Sequence, residues 1–357
     1  METSSTGTGD AQREKPAQRH GTQYAAAAQF SPDAVAASMQ RGDGGFGRSQ
    51  ETYFDHPILR KAHWRWEIIA YFFVGGMASA SAALASIADL FGEPDDEALV
   101  RNGRYAALAG SVISSALLIK DLGRPERFLN MLRIFKLKSP MSVGVYALVT
   151  FSTTAGFAAL EQGSADGTIS FNPFGWLPKR PRVALQAVSA AFMSCYTGVL
   201  LSATAIPVWY RGRRHIPAIF VLSGAATGCA LQNALLALFG GSPRTAKKLE
   251  TIELVAGLAE AALLLDWERR AGETGKPLFT GKRGSKLKTY TVWLGIALPA
   301  LLSLRSVLSR KPPKHHRLRT LLTSALALYG GYVLRESVVE AGRDSADDPR
   351  AYLRHPE

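Results

Sequence analysis

The chain has 357 residues, 47% of them hydrophobic, and a formal net charge of +13. A mean hydropathy close to zero would fit a soluble two-domain protein if charge and apolarity were mixed along the chain. They are segregated instead, with long apolar runs separated by Lys- and Arg-rich connections and no RNA-binding aromatic signature, so the charge reads as loop charge and nucleic acid is not an expected partner.

Residues 1–52 are polar and poor in large apolar side chains, which predicts a disordered N-terminal tail. No basic stretch there leads into an apolar run, so a signal peptide is not expected. From residue 53 the pattern changes. Apolar runs near bilayer-spanning length predict helices at Trp66–Leu90, Tyr105–Lys120, Val143–Glu161, Val183–Trp209, Ile216–Phe239, Ala246–Asp266, Thr289–Leu304 and Leu318–Leu334. The expected fold is therefore all-α, an integral membrane bundle of eight transmembrane helices over residues 53–340, with a C-terminal tail at 341–357. Small residues recur in the runs and predict close helix packing. An even helix count puts both termini on one side of the membrane. Basic residues in the loops are nearly balanced, and those flanking the first and last helices tilt the termini toward the cytoplasm.

The first helix opens with "KAHWRWEIIAYFFVGG". Trp64 and Trp66 suit a membrane interface, where aromatic rings collect. Glu67 and Tyr71 are four residues apart and share a helical face. A quinone head group needs hydrogen-bond donors, a proton-exchanging group and apolar walls, which His63, Trp64, Glu67 and Tyr71 can supply. After the second helix, "KDLGRPERFLNMLRIFKLKSPMSVG" places six Lys or Arg residues between two nearly uncharged runs. Asp121 and Arg124 can pair across a turn at Gly123 and Pro125. "ERFLNMLRIFK" then predicts a short amphipathic helix at the interface, with Arg127, Arg133 and Lys136 outward. Lipid head groups or a docked partner both explain that charge.

In the fourth helix Tyr196 lies in an apolar run and needs a partner for its hydroxyl or a cavity to face. Pro207 is expected to close that helix, and Pro140 and Pro217 to sit at helix starts. Gln232 and Asn233 in the fifth helix predict interhelical hydrogen bonds. The sixth helix places Glu253, Gly257 and Glu260 on one face, with Glu250 at the start of the stripe. These carboxylates either lock the bundle or conduct protons. Pro299 is expected to kink the seventh helix. None of the seven histidines falls deep in a predicted span, which argues against haem. The two cysteines, Cys195 and Cys229, lie in apolar runs; they do not predict a disulfide framework and cannot alone hold an iron–sulfur or zinc centre.

Several of these stretches together resemble the NrfD/PsrC family, the polysulfide-reductase-type membrane subunits. "DLGRPERFLNMLRIFKLKSPMSVG" is similar to the family's loop between its second and third helices, and "WRWEIIAYFFVGG" to its first helix. "CYTGVLLSATAIPVW" is similar to its fourth helix, and "VVEAGRDSADDP" to the tail after its eighth. The resemblance covers roughly residues 53–350. It implies a multi-pass subunit of the bacterial cytoplasmic (inner) membrane with no haem or metal of its own. It also implies exchange of electrons between a dissociable quinone or quinol and a four-cluster, ferredoxin-like iron–sulfur subunit, which commonly contacts a molybdopterin or multihaem catalytic subunit. The family's quinone site, at the partner-facing end of the first helix with help from the fourth, maps to Glu67, Tyr71 and Tyr196. The docking surface would include Asp121, Arg124, Arg127 and Arg133. A proton- or solute-translocating protein without quinone chemistry, or a pure membrane anchor, are the competing readings of the same residues.

Overall fold

The structure is a computed structural model that describes residues 59, 61–124, 126–171, 175–308 and 316–348. The expected disordered tail, Pro125, the Arg127 side chain and residues 349–357 lie outside the described residues. Among the described residues the regular structure is helical, with no strand. Eight long helices run through it: α1 Trp66–Phe91, α2 Glu97–Asp121, α3 Pro140–Ala165, α4 Lys179–Ser202, α5 Ile216–Phe239, α6 Pro243–Ala271, α7 and α8 His316–Ala346. Helix α7 is composite, with α-helical turns Gly281–Lys286 and Leu298–Leu308 on either side of a π-helical stretch, Leu287–Ala297. Five of the eight are long and apolar enough to cross a membrane: α1, α3, α4, α5 and the Gly281–Leu304 part of α7. Helices α2, α6 and α8 are as long but fall short on composition.

The helix starts follow local chemistry. The Ser139 hydroxyl accepts from the Ser142 backbone N–H at 3.4 Å, with Pro140 in the first turn of α3. Ser242 does the same for Arg244 at 3.2 Å, ahead of Pro243 in α6. Proline in a first helical turn gives up no intrahelical bond.

Packing divides the helices into two groups of four. Helices α1 to α4 pack as one four-helix bundle and α5 to α8 as another, and the two meet mainly through α1 and α5. Close approach of α7 and α8 depends on Gly295 and Gly330: a Cβ on Gly330 would lie 2.6 Å from the Gly295 Cα. Large apolar side chains such as Val188, Leu258 and Trp293 point outward, as expected of a bundle whose solvent is lipid.

Several sequence expectations are corrected. The fourth helix ends at Ser202, and Pro207 opens a separate short helix, Pro207–Arg211. That break turns the Trp209 ring into the core, where its indole N–H donates to the Val338 carbonyl at 2.8 Å. Helix α2 begins at Glu97 rather than Tyr105, and α8 continues to Ala346 rather than stopping at Leu334. Charged residues look like helix ends in the sequence, but Arg104 and Arg335 are buried and find partners inside. Asp121 and Arg124 form no ion pair among the described residues; the charges bearing on Asp121 are Glu67, Arg65 and His63. The turn itself is present, with Gly123 at φ 67°. The irregularity in α7 is the π-helical stretch that ends just before Pro299.

Candidate functional site

At the N-terminal end of α1 the side chains of Glu67 and Tyr71 are both buried. Among the described residues one contact holds the Glu67 carboxylate: Lys120, from the end of α2, approaches its Oε1 at 3.6 Å and also lies 4.4 Å from the Trp66 ring centroid. The second carboxylate oxygen, Oε2, is buried with no hydrogen-bond partner. A buried carboxylate with an open acceptor position is costly unless a ligand or water completes it. His63 is exposed just before α1. Trp66 is 53% exposed, as an interfacial tryptophan should be. Trp64 is not: it stacks on Trp209 with centroids 5.1 Å apart and meets Phe72 edge-on at 5.8 Å, so it belongs to the packed core.

Tyr71 and Tyr196 sit in the same buried apolar cluster, at 3% and 5% exposure. The Tyr196 hydroxyl donates to the Pro140 carbonyl at 2.7 Å, tying α4 to the start of α3. Only glycine fits opposite it, since a Cβ on Gly144 would fall 1.8 Å from that hydroxyl oxygen. The phenol therefore already has a protein partner, and what it can offer a ligand is an acceptor lone pair.

The basic loop contains the expected short helix, Glu126–Arg133. It is clipped to α3 by the Tyr146 hydroxyl, which donates to the Leu132 carbonyl at 2.7 Å, while Phe135 packs edge-on against Tyr146. Arg124 and Arg133 are exposed, and so are Leu129, Ile134, Phe135 and Leu137. Apolar and basic groups are thus both exposed on the loop that follows Lys120, whose own Nζ approaches Glu67.

A second constellation lies inside the α5–α8 bundle. Glu250, Glu253 and Glu260 line a narrow crevice of about 20 Å³ together with Ser223, Thr227 and Ser303. That is room for a single water. Glu250 pairs with Arg319 of α8 at 3.0 Å, and its Oε2 is left without a partner. Glu253 accepts from the Asn233 amide at 3.3 Å. Gln232 reaches the other way, to Ser81 of α1. Glu260 accepts from Ser223. Ser223 in turn accepts from Arg335 at 2.9 Å.

Arg335 does not stand out in the sequence, because the expected helix ends one residue before it. It is fully buried, donates to the Phe72 carbonyl of α1 at 3.2 Å and to the Gly331 carbonyl at 2.9 Å, and its charge bears on Glu260. A sequence signal is present, a lone Arg followed by further regular helix; its burial depends on neighbours no local pattern reveals. One guanidinium thus links the acidic stripe to the α1 backbone at Phe72, the residue after Tyr71.

Eight long helices, five of them long and apolar enough to cross a membrane, and an outward apolar surface define a multi-pass membrane protein. The family model "Polysulphide reductase, NrfD" matches residues 58–344, and the chain belongs to that family. It is also similar to the C subunit of polysulfide reductase from Wolinella succinogenes, 26% identical over 305 residues, which cover 78% of this chain and 94% of the relative.

Proposed function

We propose that the chain is the quinone-reactive membrane subunit of a redox complex. Its eight long helices would all span the membrane, and the quinone head group would bind at the Glu67 end of α1. The observation that carries this reading is the Glu67 carboxylate, buried near the helix end with Oε2 unpartnered and a largely exposed cation, Lys120, beside it. A quinol bound there gives up two protons and two electrons as it becomes quinone, and reduction runs the same balance backward. Glu67 takes up or returns the two protons one at a time at Oε2, exchanging each with solvent beside Lys120 before the next, and Lys120 balances its charge when ionised. Ile68, Ile69 and Phe72 supply the apolar surroundings that exclude water. Tyr71 and Tyr196 flank the head group, with Tyr71 as a donor and Tyr196 held by Pro140. The electrons pass to a four-cluster iron–sulfur subunit seated on the basic and apolar surface of the loop at 120–139, which includes Asp121, Arg124 and Arg133. A molybdopterin or multihaem subunit would lie beyond it.

Glu250, Glu253 and Glu260 form the proton path in this reading, joined to the quinone end by Arg335. The crevice favours a second reading on its own: proton translocation without quinone chemistry. One experiment separates them. In membranes with normal subunit content, Glu67→Gln should lower quinol-dependent turnover by about 10²–10⁴-fold, the range general acid–base groups supply, with little change in quinone affinity. Tyr71→Phe should weaken quinone affinity by about threefold to tenfold. Wild-type values for both, with proton movement lost in Glu260→Gln, would favour the second reading.

A further inference from the structure

Where the two bundles meet, a groove of about 780 Å³ opens between α1, α2 and α5 at the end remote from Glu67. Its floor is apolar, made by Val74, Met77, Ile113, Leu231 and Leu235. One end is polar, with Arg101, Asn102, Tyr105 and Asp166 at the rim. Asn102 is 8% exposed, and its amide nitrogen is buried without a hydrogen-bond partner. In a bundle surrounded by lipid, an amide N–H in that state calls for an acceptor from outside the protein.

The rim carries both signs of charge. Asp166, at the C-terminal cap of α3, accepts from the Tyr105 hydroxyl at 2.8 Å and from the Gln162 amide at 2.9 Å. Those two hydrogen bonds, ahead of the nearby Arg101 and Arg104 charges, hold its carboxyl below the usual range, so it is ionised at neutral pH. Its side chain remains exposed. Arg101 forms no ion pair among the described residues. A ligand that answers all of this has two apolar chains, a carbonyl acceptor below the head group, a phosphate for Arg101 and an ammonium for Asp166. A neutral quinone head would leave both rim charges unused, and an anionic lipid would set a second negative charge beside Asp166.

We propose that this seam groove is a binding site for a phospholipid with a primary ammonium, phosphatidylethanolamine. An ester carbonyl accepts from the Asn102 amide, the phosphate meets Arg101, the ammonium meets Asp166, and the acyl chains lie along the α1–α2–α5 floor. The lipid there bridges the two bundles on the face opposite the Glu67 end.

The test uses the full chain reconstituted with its partners in vesicles of equal parts phosphatidylethanolamine and phosphatidylglycerol, then extracted in mild detergent, with retained lipid quantified by mass spectrometry. The wild type should retain phosphatidylethanolamine in preference to phosphatidylglycerol at about one molecule per chain, as a single groove allows. Asn102→Leu and Arg101→Gln should each lower that retention about threefold to tenfold. Asp166→Asn should erase the preference between the two lipids. Ala109→Trp, a substitution at an exposed lining position, should empty the groove without disturbing the core. Equal retention of the two lipids by the wild type overturns the proposal. So does a quinone retained in their place, or phosphatidylethanolamine retention unchanged in Ala109→Trp.

Discussion

Two carboxylates sit near the two ends of α1 and are almost equally hidden, with side-chain exposure of 12% for Glu67 and 9% for Asp89. Their surroundings could hardly differ more. Asp89 is bound by Arg104 at 2.7 Å and by Lys179 at 2.7 Å, and Arg104 is further held by the Gln162 side-chain oxygen at 3.1 Å. Glu67 has one long contact with a largely exposed lysine and one bare oxygen. A saturated acid locks helices together. An unsaturated one keeps binding capacity in reserve, and that capacity is what a proton-exchanging site requires. Burial alone does not separate structure from chemistry; the count of satisfied lone pairs does.

The sharpest way to break this comparison is to neutralise the saturated acid. Asp89→Asn should destabilise the protein by about 3–5 kcal/mol, because Arg104 is then buried with a missing counter-charge. Denaturant or thermal unfolding in detergent measures it, and the matching Glu67→Gln substitution should change stability little while turnover falls. If Asp89→Asn is silent and Glu67→Gln unfolds the protein, the assignment of roles is reversed.

A third acid on the same end as Asp89 extends the contrast. Asp96, in the turn Pro94–Asp96 between α1 and α2, accepts from Thr245 at 2.6 Å and from Lys248 at 3.0 Å. Burial pushes its pKa up, but bonds from Thr245, the Glu93 backbone and Lys248 outweigh that and leave it below the ordinary value. A depressed folded pKa means its contribution is complete above the unfolded value, about 4, and is lost as pH falls through the folded value. Asp96→Ala should cost about 1.5–3 kcal/mol at neutral pH, for lost bonds to a charged group. The difference from wild type should shrink in melting curves recorded under acid conditions. A difference that stays constant down to low pH would show that the charge of Asp96 contributes nothing.

The smallest effect should come from the near end. Tyr196→Phe removes one bond to Pro140, about 0.5–1.5 kcal/mol, and leaves Gly144 its space. Gly144→Ala should be worse than Tyr196→Phe, since it drives a methyl into the phenol. Adding Tyr196→Phe should not rescue it, since the ring carbons Cζ and Cε1 would still lie 1.9 Å and 2.2 Å from the new Cβ, whereas adding Tyr196→Ala should; if Tyr196→Ala gives no rescue, the contact is not what requires glycine there.

The join between the two bundles carries its own lesson. Arg335 reaches from α8 to the Phe72 carbonyl of α1 while its charge bears on Glu260. Arg335 therefore ties the acidic crevice of one bundle to the backbone of the other one residue beyond Tyr71, while the Glu67 carboxylate keeps Lys120 as its own cation.

The all-helical class and the order of the long helices are legible in the chain, most plainly for the five whose apolar runs reach bilayer-spanning length, because a bilayer leaves few other ways to satisfy a backbone. The fifth helix is legible to the residue, Ile216–Phe239, since a His and a Gly–Gly pair bracket an uncharged run. The shared face of Glu250, Glu253 and Glu260 is also legible, being a matter of helical spacing alone. Ends marked by charge are not. Arg104 and Arg335 look like boundaries because a charge in an apolar run normally seeks water, and only packing shows that each has its partners inside the protein. Tertiary structure alone also decides that Trp64 stacks on Trp209, that Tyr196 spends its proton on Pro140 and that Asn102 keeps its amide unpaired. Spacing along one helix determines which side chains share a face; which of them stay unsatisfied depends on atoms brought from other helices, and those come together only in the folded bundle.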